Sequence, residues 1–248
     1  MTELSPPPAV PGPAKVRRPR DAASLLLIDR TGGIPRVLMG RRNAGLAFMP
    51  GKYVFPGGSL DASDSSVASA SELHAADRCK LVAGMGSRPS VARARALGLC
   101  AIRETFEETG LRIACPASAS APLRDYAEWR AFLSGGVLPD PARLRYFARA
   151  ITPPGHPRRF DTRFFIAFCE VQSDLGRQPL VPSGELEDLG WMPLDEAHEL
   201  DAPRITRLIL AEAQALLARW RDGLPALPEE LPATHYHERR GRFIREVI

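Results

Sequence analysis

The chain has 248 residues, with 33 Lys+Arg against 29 Asp+Glu and a formal net charge of +4. Its 44% hydrophobic and 25% charged content exclude a mostly disordered protein, a coiled coil and a collagen-like rod. The longest uncharged apolar run, Ala22–Ile28, falls far short of the roughly 20 residues of a membrane span, so no membrane partner is expected. No hydrophobic leader opens the chain, and a soluble cytoplasmic protein is expected. Cys79, Cys100, Cys115 and Cys169 stand far apart without a CxxC pair, which argues against a zinc finger or a disulfide scaffold. The small positive charge comes with neither an aromatic RNA-binding pattern nor a recognition-helix signature, so no nucleic-acid partner is expected.

Residues 1–20 are rich in proline and carry the basic run Lys15–Arg20, which reads as a disordered tail. A domain over 21–222 follows. Ala22–Asp29 and Val37–Gly40 flank Thr31-Gly32-Gly33 and predict a hairpin. Tyr53–Phe55 predicts a short strand stopped by Pro56-Gly57-Gly58. Ser69–Val82 has helical composition, broken by Gly84, Gly86 and Pro89. From about Val91 to Thr109, Leu99, Ile102 and Phe106 recur at spacings of three and four and predict a second helix. Gly110 stands where a left-handed cap would close it. Leu111–Ala114 is β-like, and Leu123–Leu133 predicts a helix. Strands are predicted at Arg145–Ile151, Thr162–Val171 and Gly190–Met192. A helical turn at Leu194–Glu199 and an amphipathic helix at Ile205–Trp220 follow. Residues 223–248 are Pro-rich and predict an irregular C-terminal tail. Strands and helices mix without regular βαβ alternation, so the fold class is α+β with a mixed sheet.

The stretch with chemical content is Arg103-Glu104-Thr105-Phe106-Glu107-Glu108-Thr109-Gly110-Leu111. On a helix, Glu104, Glu107 and Glu108 stand at i, i+3 and i+4 and share one face. Like charges at that spacing cost about 0.2–0.5 kcal/mol per pair, and no cation follows within a turn on that face to offset them. Three such carboxylates suit a hard divalent cation, Mg²⁺ or Mn²⁺. Phe106 on the other side is expected to anchor the helix in the core. An isolated acidic triplet is more often a solvated helix face. Two upstream features change that balance: the turn Phe55-Pro56-Gly57-Gly58, whose backbone N–H groups can approach an anion, and the carboxylates Asp61 and Asp64.

Together these residues resemble the Nudix hydrolase superfamily. Its box reads Gly, five residues, Glu, seven residues, then Arg-Glu-aliphatic-x-Glu-Glu-x-Gly-aliphatic. Arg103–Leu111 carries the second half, with Thr105 at the first aliphatic position. Gly58 and Asp64, the latter in place of Glu, carry the first half. Gly58 to Arg103 spans 45 positions against the family spacing of 14, so 31 residues split the box. This insertion, placed at 65–95, extends a loop, where extra length costs little closure entropy. An interrupted box is similar to the branch that includes the mammalian peroxisomal coenzyme A diphosphatase, as is the stretch ITPPGHPRRFDTRFF. The upstream coenzyme A motif is matched in register by Arg42, Leu46, Gly51, Phe55, Pro56, Gly57, Gly58, Asp61 and Asp64. Asn43, Ala47 and Met49 depart from it, standing where that motif has Ser, Arg and His.

The resemblance implies a Nudix-type α/β/α sandwich with a mixed sheet and a mainly helical insertion inside the box. It implies a metal-dependent pyrophosphohydrolase with Mg²⁺ or Mn²⁺ as cofactor. Glu104, Glu107 and Glu108 would hold the metal, joined by Glu185, which stands six positions before Trp191. Glu104 would also be the base, Glu107 and Arg103 would complete the catalytic set, and Arg103 would orient Asp64 or Glu104. Arg42, Gly57, Gly58, Asp64, Arg159 and Arg163 are the substrate-binding candidates, with Arg41 and Arg158 as further phosphate-binding arginines. The substrate implied is a small nucleotide: coenzyme A or acyl-CoA, cleaved to 3′,5′-ADP and (acyl-)4′-phosphopantetheine. ADP-ribose or a dinucleotide is the alternative, and a non-catalytic nucleotide sensor is the alternative of another class. The insertion could cap the site, shape acyl selectivity or build a homodimer contact, and the sequence does not decide among these. His235-x-His237 can in principle bind metal, but in an irregular tail a surface role is the expectation. Cys100, Trp129, Trp220 and Phe164-Phe165 are expected in the core. The sequence ends Glu246-Val247-Ile248, without a Ser-Lys-Leu peroxisomal address.

Overall fold

A computed structural model describes residues 18–117 apart from 32 and 87, together with 126–169, 178–219 and 227–248. The first strand explains the rest. β1 (Arg20–Asp29) is buried from Ala22 to its end, as an apolar run must be when both faces of a sheet are covered. Ala23, Leu25 and Leu27 enter one core, while Leu26 and Ile28 enter the other. The period of two along a strand thus divides one sequence between two cores. β1 pairs in parallel with β8 (Phe160–Cys169) along its whole length, from Arg20↔Phe160 to Asp29↔Cys169. On its other side it pairs with β2 (Arg36–Arg42), as the predicted hairpin.

β3 (Tyr53–Val54), β4 (Gly57–Ser59), β7 (Arg145–Ile151) and β9 (Leu186–Pro193) join them in a nine-stranded mixed sheet among the described residues. A small separate ribbon joins β5 (Ala114–Pro116) to β6 (Val137–Pro139). α1 (Ala75–Ala83) and α2 (Val91–Thr109) pack on one side of the sheet, and α4 (Arg204–Arg219) lies on the other, next to Leu194 and Ala197. The mixed sheet between helical layers is the α+β sandwich expected. α2 has the bounds its apolar stripe predicts. Ser90 caps its start by accepting a hydrogen bond from the Arg93 N–H at 3.2 Å. Gly110 closes it at φ +77°, donating to Phe106 O.

The C-terminal expectation is overturned. Instead of an irregular tail over 223–248, β10 (Thr234–Arg239) and β11 (Arg242–Val247) form a hairpin that extends the sheet beside β7. Arg240 and Gly241 both take positive φ in the two-residue turn between them. An Arg-Gly turn is a weak sequence signal, and parallel pairing with β7, some 85 residues earlier in the chain, decides the outcome. At the other end, Arg20 already belongs to β1, and residues 1–17 of the predicted tail lie outside the described residues.

The insertion 65–95 is only partly helical, through α1 and the first turn of α2. It is anchored inward: Asp77, fully buried, accepts from Arg145 Nε at 2.6 Å and from the Tyr146 N–H at 3.1 Å. The predicted helix at 123–133 is a 3-10 turn at Ala127–Trp129 followed by the single-turn α3 (Arg130–Leu133), and 123–125 lie outside the described residues. Residues 170–171 of the predicted strand, and Trp220, also lie outside them. Trp129, Phe164 and Phe165 are buried as expected.

Candidate active site

The acidic face of α2 meets β4, and two glycines make the approach close. Gly58 pairs with Ala23 of β1, and a Cβ at Gly58 would overlap the Glu104 carboxylate. A Cβ at Gly57 would come within 2.5 Å of Ala23 O. Only glycine lets this turn lie between β1 and α2. The Gly57 N–H donates to Glu108 Oε2 at 2.9 Å.

Arg103 organises the same face. Its guanidinium donates to Asp64 at 2.8 and 3.1 Å, to Glu107 at 2.9 Å and to Ser59 O at 3.1 Å, and it lies 3.0 Å from Glu104. The offsetting charge that the sequence lacks after the carboxylates is therefore supplied from before them. Asp64 is fully buried and also accepts from Trp129 Nε1 and the Asp61 N–H. Burial opposes the charge on Arg103, but its carboxylate partners outweigh burial and hold it protonated.

Burial and mutual repulsion act together on these carboxylates. Burial raises Glu108 to about 8, with Glu104 and Glu185 adding to the shift and the Gly57 N–H and Arg42 opposing it. Burial raises Glu104 to about 7; Glu107 and Asp64 add to this and Arg103 opposes it. Glu107 is also raised, first by burial, against Arg103. Glu104 and Glu107 are drawn to Arg103, and Glu108 to Gly57, rather than into one cluster. Partly buried acids that repel one another are stabilised by a positive charge placed among them. The donors are all carboxylate oxygens, which fits a hard divalent cation.

Beside this face opens a cavity of about 450 Å³. Gly57, Gly58, Glu104, Glu185 and Arg42 line it together with Phe48, Met49, Phe55, Phe160, Phe164 and Phe243. Its wall therefore combines carboxylates and an arginine with apolar rings. None of the described residues of 65–95 lines it, and Val67, Leu73, Leu81 and Met85 of the insertion pack into the core on the α2 side.

The NUDT19 Nudix domain model matches residues 20–204 of this chain. The chain belongs to the NUDT19 Nudix domain family. A chicken relative, acyl-coenzyme A diphosphatase NUDT19, is 30% identical over 216 aligned positions, covering 64% of this chain and 57% of the relative. Putative nudix hydrolase 7 of Caenorhabditis elegans is 28% identical over 195, covering 72% of this chain and 54% of the relative. The chain thus spans little more than half the length of these curated relatives. Among solved structures, a NUDIX hydrolase from Alicyclobacillus acidocaldarius superposes with a TM-score of 0.57 at 27% identity, covering 78% of this chain and 90% of that one. No helix among the described residues is long and apolar enough to cross a membrane.

Within this NUDT19 Nudix domain, the sequence candidates separate into two groups. Glu104, Glu185, Arg42, Gly57 and Gly58 all line the cavity, with Arg103 and Glu107 linked to Glu104, and Glu108 to Gly57, next to it. Glu185 arrives from the exposed loop before β9. Arg42 donates Nε to Phe48 O, which aims it along the cavity wall. Arg158 and His156 also line the cavity.

Three substrate-binding expectations do not match the structure. Asp64 has no exposed surface, and its oxygens are occupied by Arg103, Trp129 and the Asp61 N–H. Arg163, 1% exposed, donates to Asp21 at 2.7 Å and to Asp161 O, and lies 3.2 Å from the Asp161 carboxylate. Arg159 donates to Thr152 O and does not line the cavity. For the two arginines, burial or a local hydrogen bond claims a side chain that its residue type alone would assign to phosphate. Arg41 likewise pairs with Asp188 and Glu187. Cys100 is buried and its thiol pKa is pushed well up by burial, as befits a core residue. Sequence reasoning missed the contribution of Tyr236 and Phe243, which reach the cavity from the C-terminal hairpin. Alternation in Thr234–Arg239 was the available signal.

Proposed function

We propose that this chain is a divalent-cation-dependent pyrophosphohydrolase acting on coenzyme A or acyl-CoA, giving 3′,5′-ADP and (acyl-)4′-phosphopantetheine. The observation that carries this reading is the juxtaposition, in the wall of one cavity, of the Glu104 carboxylate, raised to about 7, with several aromatic rings. The acyl-CoA diphosphatase name of the chicken relative supports the choice of substrate. Glu104, Glu107, Glu108 and Glu185 would hold Mg²⁺ or Mn²⁺. When bound, such a cation lowers the pKa of water and neutralises charge that builds on phosphate oxygens.

The chain's own residues do the positioning. Glu104 faces the cavity and takes a proton from the water that attacks phosphorus. Arg103 holds Glu104 and Glu107 in place from inside the protein. Arg42 receives a phosphate oxygen, where guanidinium geometry suits phosphate. The aromatic rings of the wall receive an acyl chain, an apolar group that gains by leaving water, and pack against the pantetheine arm. A panel of coenzyme A, acyl-CoA, ADP-ribose and dinucleotides, with Mg²⁺ or Mn²⁺ and with products separated by chromatography, tests this. The CoA species should give the highest kcat/KM, and a preference for ADP-ribose would reject the assignment.

A further inference from the structure

The C-terminal hairpin carries a second group of ligand-type side chains, outside the box helix. His235 and His237 stand two residues apart on β10, so both rings leave the same face of the strand. Their centroids are 4.5 Å apart. Glu246 of β11 is the direct cross-strand partner of His235. One ligand atom from each of the three lies within 4.8 Å of the other two. Among the described residues, no other three His, Cys, Asp or Glu side chains do so.

A second observation is independent of this proximity. His235 Nε2 and His237 Nδ1 are both shielded from solvent and have no hydrogen-bond partner among the described residues. Buried polar atoms are nearly always paired, and leaving them unpaired is unfavourable. Two adjacent imidazoles with unused nitrogens therefore have a coordination need that the protein leaves open.

We propose that His235, His237 and Glu246 form a zinc-binding site that ties β10 to β11. Two imidazole nitrogens and one carboxylate oxygen suit Zn²⁺, with water in the fourth position. This differs from the all-oxygen set on α2. Zn–N bonds of about 2.0–2.1 Å put tetrahedral ligands about 3.3 Å apart, so binding draws together atoms that lie within 4.8 Å of one another. The opposite face of β10 gives the site its consequence. Tyr236 lines the substrate cavity there and donates to Glu212 of α4, which also pairs with Arg245 of β11. An ion on the outer face would hold in register a hairpin whose inner face, with Phe243, walls the cavity. The inference stands apart from the phosphoanhydride chemistry proposed above.

Equilibrium dialysis of the full chain against micromolar ZnCl₂, with millimolar Mg²⁺ present to occupy the α2 carboxylates, tests it when bound zinc is measured by mass spectrometry. About one zinc per chain is expected. His237→Ala and Glu246→Gln should each weaken retention at least about tenfold, since even outer-shell partners of a metal contribute that much. Glu107→Gln should retain zinc like the wild type. Circular dichroism reports whether each variant is folded; if His237→Ala is not, Glu246→Gln, whose side chain is exposed, decides alone. Absence of zinc from the wild type, or equal retention by the folded His237 and Glu246 variants, would overturn the proposal.

Discussion

Arg103 holds Asp64 through two hydrogen bonds, of 2.8 and 3.1 Å, with both side chains inside the protein. The pair bridges the two halves of an interrupted box, so a sequence gap of 39 residues becomes a direct contact. Asp64→Asn leaves Arg103 the carboxylates of Glu104 and Glu107, so the loss stays below the about 3–5 kcal/mol of stranding a buried charge. It should lower stability by about 1–3 kcal/mol in urea unfolding. A change under 0.5 kcal/mol, roughly what an unconstrained surface site gives, would show that Arg103 does not depend on Asp64.

Gly58→Ala places a methyl group where the Glu104 carboxylate lies. Either the carboxylate or the strand must move. A displacement of about 1 Å in a catalytic group can reduce rate on the order of 100-fold. Steady-state kinetics should show a fall in kcat of that order, with far-UV circular dichroism unchanged. Wild-type kcat would mean that Glu104 need not occupy its observed position.

Arg163 offers a contrast, because the structure gives it a structural place. Arg163→Ala should destabilise the protein by about 1–3 kcal/mol through lost packing and hydrogen bonds inside the sheet, Asp21 keeping Arg93 and Asp161 keeping Arg149. KM for coenzyme A should stay within about twofold in the folded fraction, a change of under about 0.5 kcal/mol. A large rise in KM with unchanged stability would restore the substrate-binding role.

The pH dependence follows from the acids on α2. Glu104 and Glu108 rise from an ordinary 4.5 to about 7 and about 8 in the folded, metal-free protein. Between these values the folded state binds more protons than the unfolded chain, so these two groups make stability fall as pH rises. Their contribution is fully present below about pH 4.5 and is lost as pH passes through 7 and 8. In EDTA, the Tm of the wild type relative to Glu108→Gln should drop from pH 5 to pH 8, and Mg²⁺ should restore it at the upper end. A relative Tm that rises over this range would contradict the assigned shifts.

Much of this arrangement was legible in the residues. The apolar stripe and Gly110 locate α2, and the spacing of Glu104, Glu107 and Glu108 puts three acids on one face. Glycine at 58 reads as a turn but is required for a close approach, and that shows only once Glu104 is seen against it. Sequence could not separate arginines of two kinds: Arg42 on the cavity wall, and Arg163 deep in the sheet, differ in burial rather than in type. The C-terminal hairpin was hidden for another reason. Its strands gain their stability from pairing with β7 and from the Tyr236–Glu212–Arg245 link to α4, contacts between distant parts of the chain. Local pattern carries little of that.

The central claim is that the α2 carboxylates hold a divalent cation for hydrolysis of a phosphoanhydride. Its most direct test is the turnover of coenzyme A by the wild type and by Glu107→Gln, each with Mg²⁺ or Mn²⁺ and each in EDTA. The account predicts cation-dependent release of 3′,5′-ADP by the wild type, and a loss of 100-fold or more in kcat for the folded variant, on the order seen when a group essential to the transition state is removed. Full activity of Glu107→Gln, or wild-type cleavage that persists unchanged in EDTA, would contradict it.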